Sequence, residues 1–256
     1  MADRVVVLCG ADPVSRMVYH AVARGFEVAG VIVEDPVPRS TLARRRLKTL
    51  GAATVAGQVL FTAAVLPVLR SRARARVAAI RGEFGLNDGP FGGNVVRVAS
   101  VNTPEARSAL RAMRPDVVVV NGTRIIDAET LGAGSCPYLN MHAGITPLYR
   151  GVHGGYWALA EARPDLLGTT VHLVSTGIDT GRVVTQVTFP VISDDSFVTY
   201  PLLHTAHGLP ALIEAVGRSL RGELRTSKNP RKLASRLRSH PTAWGYLGRR
   251  LRAGVR

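Results

Sequence analysis

Apolar runs, each closed by a turn residue, recur along most of this chain. Val5–Cys9 is the first, and Gly10 ends it, as expected of a central strand buried on both faces. Asp12-Pro13 opens a helical pattern that runs to about Arg24, with the proline in the first turn. Gly25-Phe26 turns the chain into a second strand, Glu27–Glu34. After a gap the rhythm resumes with strand Val95–Val101, helix Pro104–Met113, strand Asp116–Val120 and a short helix Asp127–Leu131. Strand Pro137–His142, helix Gly155–Ala162 and strands Thr169–Ser175 and Arg182–Val191 follow. The helical stretch Phe197–Leu220 comes last, with Pro201 and Pro210 placing kinks or boundaries. Strands alternating with helices predict an α/β fold: a doubly wound, mostly parallel, Rossmann-like sheet that works at the carboxyl ends of its strands. The first turn, Cys9-Gly10-Ala11-Asp12-Pro13, is not a GxGxxG fingerprint, so no dinucleotide site is expected.

Between about 36 and 93 the rhythm stops. A basic cluster, Arg44-Arg45-Arg46-Leu47-Lys48, leads into Thr49–Leu69, twenty-one residues without a charge, and a second cluster runs from Arg70 to Arg76. The middle piece is long enough to span a bilayer. Gly51, Gly57, Gln58, Pro67 and three threonines dilute it, however, and basic flanks at both ends suit no single orientation across a membrane. A helical cover packed on the body or on a partner subunit, or an in-plane helix on an anionic membrane, fits better. The loop Asn87–Gly93 closes the insertion. The organisation expected is one catalytic unit over residues 1–217, interrupted by a basic helical insertion at about 36–93, then a basic tail at 218–256 that holds Trp244 and Tyr246.

Charge sharpens that division. The 256 residues carry a formal charge of +15. Residues 39–82 hold ten Arg/Lys and no acid, and residues 218–256 hold twelve Arg/Lys and one acid, Glu223. Elsewhere 11 basic side chains face 17 acidic ones, so the rest of the body is mildly acidic. The two basic segments favour anionic partners (lipid headgroups, nucleic acid, phosphorylated substrates), or they are solvated helix faces. Cys9 and Cys136 lie far apart without metal spacing and read as buried thiols of a reducing compartment. The first residues lack a signal-peptide layout. A cytoplasmic protein is expected, peripheral at the inner face of the membrane if the insertion meets lipid.

Chemistry concentrates between Leu139 and Gly181. Asn140 and His142 are two apart at a strand end, so both point to one face. Asp179, bracketed by Gly177 and Gly181, belongs to a tight turn. An amide, an imidazole and a carboxylate can together polarise a carbonyl, move a proton and orient the imidazole. No His/Cys cluster suggests a metal. His172, alternating inside a strand, reads as a core or interface histidine; His204 and His207 read as structural, and Trp157 as helix packing.

These residues carry a resemblance. The segments N-M-H-A-G-I-T-P-L-Y-R-G at 140–151, G-T-T-V-H-L-V-S-T-G-I-D-T-G at 168–181, V-V-V-V-N-G-T-R-I-I at 117–126 and V-V-T-Q-V-T-F-P-V at 183–191 resemble the folate-dependent formyltransferases. That group contains glycinamide ribonucleotide formyltransferase, the catalytic domain of methionyl-tRNA formyltransferase and sugar-nucleotide N-formyltransferases. The resemblance covers roughly 95–215 and, less closely, 4–34; it leaves out 36–93 and the last thirty-odd residues. It implies a catalytic trio: Asn140 for the formyl oxygen, His142 for the proton, and Asp179 to hold the histidine. It implies 10-formyltetrahydrofolate as donor, with the pterin against Gly122, Thr123, Arg124, Ile125 and Ile126 and against Ser175, Thr176, Gly177 and Ile178. It leaves Arg150 and His153 as candidates for touching the acceptor, or for bracing their loop.

Departures from the family pattern bear on the acceptor. The first turn offers one glycine, Gly10, and sets the acid Asp12 beside it, a poor cradle for the phosphate of glycinamide ribonucleotide. Only 56 residues follow Tyr200, short for the tRNA-holding domain of methionyl-tRNA formyltransferases. Ala143-Gly144 replaces the pair often found after the histidine. The expectation is formyl transfer to a primary amine of a small molecule, an amino sugar nucleotide among the candidates, in a chain that can oligomerise. A formyltetrahydrofolate hydrolase, a tRNA-directed enzyme and a non-catalytic membrane or nucleic-acid adaptor on the same fold are the alternatives, nucleic acid ranking below the small amine.

Overall fold

In the computed structural model, which describes residues 3–256, each apolar run becomes a strand of one central sheet. The strands are β1 (Val5–Gly10), β2 (Val28–Glu34), β3 (Val95–Val98), β4 (Val117–Asn121) and β5 (Tyr138–His142), then a short β6 (Arg150–Gly151), β7 (Gly168–Leu173), β8 (Val183–Thr188) and a short β9 (Leu237–Arg238). The seven-stranded sheet has the order β3-β2-β1-β4-β5-β7-β8. Its first five strands run parallel, β7 is antiparallel to β5, and β8 is antiparallel to β7. This is the doubly wound, mostly parallel sheet that the alternation predicts.

The centre of the sheet is buried on both faces because β1 and β4 are apolar at nearly every position. Val5, Val7, Cys9, Val117 and Val119 point into one core with α1 (Pro13–Gly25), while Val6, Leu8, Ile32, Val118 and Val120 point into another. The second core is closed by Ala106, Leu110 and Met113 of a helix spanning Pro104–Met113. A long helix, Tyr200–Leu220, crosses the first face and continues through Pro210, so that proline does not end the element. Burial raises the Cys9 thiol to about 12, which leaves it inert.

The basic stretch at about 36–93 folds as helices packed on the body, the cover that its sequence suggests, and the C-terminal basic segment packs against it. After α2 (Arg39–Leu50), α3 (Ala52–Leu60) runs through a π-helical turn at Phe61–Val65 into α4 (Leu66–Arg72), and α5 (Arg74–Glu83) follows. Gly57, Gln58, Phe61, Leu69 and Ala73 are buried, about one or two helical turns apart and so along one side, and Ile80 is buried on α5. Ile80 joins the main core, and the Arg76 guanidinium donates to the buried Asp195 carboxylate at 2.8 Å. The C-terminal segment returns to the same place. Its helix Ala243–Ala253 buries Tyr246 against Phe61, Tyr156 and Phe197, and Gln58 Nε2 donates to the His240 carbonyl at 2.9 Å. Gly57 is required where these helices cross, because a Cβ there would stand 2.4 Å from the Trp244 ring. β9 pairs with β6, Trp157 Nε1 donates to the Ser239 carbonyl, and the Arg238 guanidinium donates to Glu161 at 2.6 Å. Trp157 thus fastens the C-terminal segment as well as packing its own helix.

Candidate active site

Register brings the site together. Asn140 on β5 lies directly opposite His172 on β7, so their side chains share one face of the sheet, and His142, two residues further along, shares it too. The loop between β7 and β8 then carries Asp179 back over that face. Asp179 sits at φ +48°, in the left-handed region that aspartate tolerates better than most residues. Gly181 follows where the backbone passes so close to the Leu173 carbonyl that no Cβ could fit. The Gly-Ile-Asp-Thr-Gly pattern is therefore the covalent requirement for placing one carboxylate.

His142 is 7% exposed. Its Nε2 donates to the Tyr149 carbonyl at 2.6 Å, leaving Nδ1 as the nitrogen that gains or loses a proton, 3.4 Å from Asp179 Oδ2. Burial depresses the His142 pKa below the ordinary histidine value, against the pull of the Asp179 charge, so the ring is neutral at pH 7 and ready to accept a proton. The Asp179 carboxyl lies at about 2: burial works to raise it, but the facing His142 and the Gly151 N–H, which donates at 2.8 Å, outweigh that. A fixed negative charge therefore faces the nitrogen that becomes positive.

His172 is the residue that sequence reasoning misplaced. It is buried, as a core histidine would be, but it belongs to the site. Its Nδ1 donates to the Leu173 carbonyl at 2.8 Å, which leaves Nε2 to accept from Asn140 Nδ2 at 3.1 Å. This fixes which end of the Asn140 amide carries the N–H groups and leaves one of them free for an oxygen. Asp179 Oδ1 stands 3.7 Å from His172 Nε2, so the four side chains form one connected cluster. Alternation marks His172 as strand; only the register against Asn140 makes it part of this cluster.

The remaining sequence-predicted residues separate into supports and surfaces. Glu34 holds the segment Gly122–Ile126, accepting from the Val101 N–H at 2.8 Å and the Arg124 N–H at 2.7 Å and pairing in charge with the Arg124 guanidinium at 2.7 Å. Arg124 and the buried Ile126 thus anchor the segment, Thr123 closes on the Arg124 carbonyl, Gly122 takes φ +68°, and Ile125 is left 52% exposed. In the second segment Ser175 shares a hydrogen bond with Thr180, Thr176 is exposed, and Gly177 leads to Ile178, which is exposed with its carbonyl held by Arg150 at 3.1 Å. Arg150 and His153 line different cavities. Arg150 borders one of about 240 Å³ with Asp179 and Lys228. His153 lies in the other, of about 280 Å³, with Ala143, Phe197, Tyr200, His204 and His240, and its Nε2 meets His240 Nδ1 at 3.0 Å. At the first turn Asp12 caps α1, accepting from Ser15 N at 3.1 Å and Ser15 Oγ at 2.6 Å. The carboxylate occupies the place an anion would take.

Burial lowers His153 and His204 to about 3 from the ordinary 6.5. In the unfolded chain both protonate near 6.5, so below that pH the unfolded state binds more protons and stability falls, down to about 3. Asp179, depressed from 3.8 to about 2, removes stability in the same direction over its own interval. The urea midpoint should decline steadily on acidification from pH 6.5, less steeply in His204→Gln; a flat profile would contradict the buried neutral histidines.

Comparison with known proteins follows the same residues. Residues 56–216 match the family model described as Formyl transferase, so the match reaches back into the stretch that the motif resemblance left uncovered. The chain is similar to the methionyl-tRNA formyltransferase of Chlorobium luteolum, 28% identical over 146 residues, which are 57% of this chain and 46% of that protein. It is also similar to that of Anaeromyxobacter dehalogenans, 32% identical over 123 residues, 48% of this chain and 39% of the relative. The matched region spans less than half of each relative's length. Among solved structures, a sugar N-formyltransferase from Shewanella superposes with a TM-score of 0.55 at 13% identity, over 92% of this chain and 76% of the other. A glycinamide ribonucleotide transformylase from Symbiobacterium toebii does so with a TM-score of 0.54 at 18% identity, over 87% and 89%. These two likenesses are of fold.

Proposed function

The chain belongs to the formyl transferase family, and from that premise we propose that it moves a formyl group from 10-formyltetrahydrofolate to a primary amine of a small-molecule acceptor. One observation carries the reading: a neutral, buried imidazole whose free Nδ1 faces a carboxylate held charged, beside an amide whose N–H is oriented by a second histidine. The donor supplies an activated formyl group on a nitrogen that can leave once protonated. The free N–H of Asn140 donates to the formyl oxygen as negative charge gathers there. His142 Nδ1 takes the proton from the attacking amine, the Asp179 carboxylate stabilises the resulting imidazolium, and the same nitrogen returns the proton to the leaving nitrogen. The segments carrying exposed Ile125 and Ile178 suit the flat apolar faces of a pterin, and their shape is preset by Glu34 and Arg150.

The acceptor reading rests on charge. Asp12 makes the first turn unsuited to a phosphate, while Arg150 and Lys228 line the cavity that Asp179 borders. An amine carried on an anionic molecule, such as an amino sugar nucleotide, fits that cavity. The second reading is a tRNA-borne amine, favoured by the two methionyl-tRNA formyltransferases and the twelve basic residues of 218–256. Tetrahydrofolate release decides between them when the protein is given donor with amino sugar nucleotides, glycinamide ribonucleotide, methionyl-tRNA or no acceptor. Release only with a sugar nucleotide is expected. Release only with charged tRNA would move the acceptor to the second reading, and release with none would make the enzyme a hydrolase. No release and no donor binding would end the proposal.

A further inference from the structure

The stretch Ala52–Arg72 is helical throughout and contains an 18-residue window with a mean hydropathy of 1.8, of which only 22% is buried. A helix on a soluble surface ordinarily turns charged side chains outward. Here the exposed positions from Ala52 to Val68 are Ala52, Ala53, Ala56, Val59, Leu60, Thr62, Ala63, Ala64, Pro67 and Val68, and Thr62 alone among them is polar. Val59 is 61% exposed and Leu60 and Val68 are each 50% exposed. Trp244 lies across Gly57 and is itself half-exposed, and Leu247 and Leu251 continue an exposed apolar stripe along the C-terminal helix. Cations bracket the strip: Arg44, Arg45, Arg46 and Lys48 before it, Arg70, Arg72 and Arg74 after it, and Arg250 and Arg252 beside the Leu251 end. None of the described side chains of α2 is buried, and its Leu42, Leu47 and Leu50 are exposed.

We propose that this face, α3–α4 with Trp244 and Leu251, seats the protein in the headgroup region of an anionic bilayer, with the helix lying in the membrane plane. The inner side of the helix decides the orientation. Phe61 and Leu69 are buried in the body and Gln58 is bonded to His240, so crossing the bilayer would require tearing that side free. Apolar outer residues enter the acyl boundary, the Trp244 ring sits at headgroup depth, and the flanking arginines meet lipid phosphate. Charge selects this occupant. A second copy of the chain would set cation against cation at both ends of the strip, and a nucleic acid has no use for an uncharged apolar face about 30 Å long.

Sedimentation with vesicles tests the proposal, using phosphatidylcholine alone or with phosphatidylglycerol added. The full chain should bind only the anionic vesicles, with a blue shift in tryptophan emission that Trp244→Phe reduces, and high salt should release it. Because Val59 and Leu60 are exposed, the double variant Val59→Glu/Leu60→Glu should fold normally and lose binding at least tenfold. Each of Arg45→Gln and Lys48→Gln should weaken it about fivefold. Tetrahydrofolate release with a soluble amine should be unchanged in all of them. Absence of binding to both vesicle types would overturn the proposal, as would wild-type binding by the double glutamate variant. Resistance of bound protein to high salt and alkaline carbonate would replace it by a spanning helix. Self-association abolished by Leu60→Glu, without vesicle binding, would replace it by a contact between copies.

Discussion

Alanine at position 142 should lower kcat by roughly 10²–10⁴-fold, the range that a positioned proton-transfer group contributes. The ring is the one group in the cluster with a free nitrogen, Nδ1, facing a carboxylate that is charged at any pH above about 2. Removing it leaves Asn140 able to polarise the carbonyl but nothing to take the amine's proton. The Tyr149 carbonyl would lose its donor, at a cost of about 1–3 kcal/mol for a buried group left unpaired, so the variant should still fold. Asp179→Asn should fall between the variant and the parent, because the neutral amide removes the charge that stabilises the imidazolium. The pH dependence separates a chemical from a structural role. With His142 depressed by burial, the acid limb of kcat/KM in the parent should lie below the ordinary histidine value of 6.5, and it should vanish in His142→Ala. Turnover within a few-fold of the parent would remove His142 from the mechanism.

The largest change in stability is expected from Phe61→Ala, about 3–5 kcal/mol. Phe61 is fully buried, edge-on to Phe197 at 5.0 Å between ring centres and tilted against Tyr246 at 5.1 Å. It therefore joins the insertion, the loop before the long helix and the C-terminal helix in a single cluster. The cavity left by alanine cannot be filled without moving all three. Urea denaturation should show one transition, shifted to lower denaturant with an unchanged slope. A cycle with Tyr246→Ala should give a coupling of about 0.5–1.5 kcal/mol, as for paired aromatic rings. A loss below about 1 kcal/mol, or a separate early transition, would mean that the insertion folds apart from the sheet.

How far the sequence could be read depends on the range of the forces involved. Val5–Cys9 and Val117–Val120 are legible as strands because every residue is apolar, and a strand buried on both faces demands that. Asp12 and Asp127 are legible as helix starts because capping is local: each carboxylate accepts an N–H three residues on. Asn140 and His142 are legible as a pair because alternation puts both on one face of a single strand. Glu34 gave no such signal. It ends a strand as acids often do, yet it holds the segment that shapes half of the candidate donor site, across 90 residues. His172 was read as core for the same reason: its partner, Asn140, is set by an antiparallel register that no local pattern specifies.

By itself, then, the sequence marked the alternation of strands and helices, the candidates Asn140, His142 and Asp179, and the confinement of positive charge to two segments. Each of these depends on spacing along the chain, and the chain carries spacing directly. Tertiary structure alone decided that the two basic segments close on each other around Phe61 and Tyr246. It also decided that one side of the apolar helix is buried while the other faces out, and that His172 turns the Asn140 amide toward its task. Those outcomes come from contacts between residues 32 to 185 positions apart, from Asn140–His172 to Phe61–Tyr246. Such contacts are chosen by which surfaces remain uncovered once the sheet has formed, and hydrophobic burial carries no sequence address of its own.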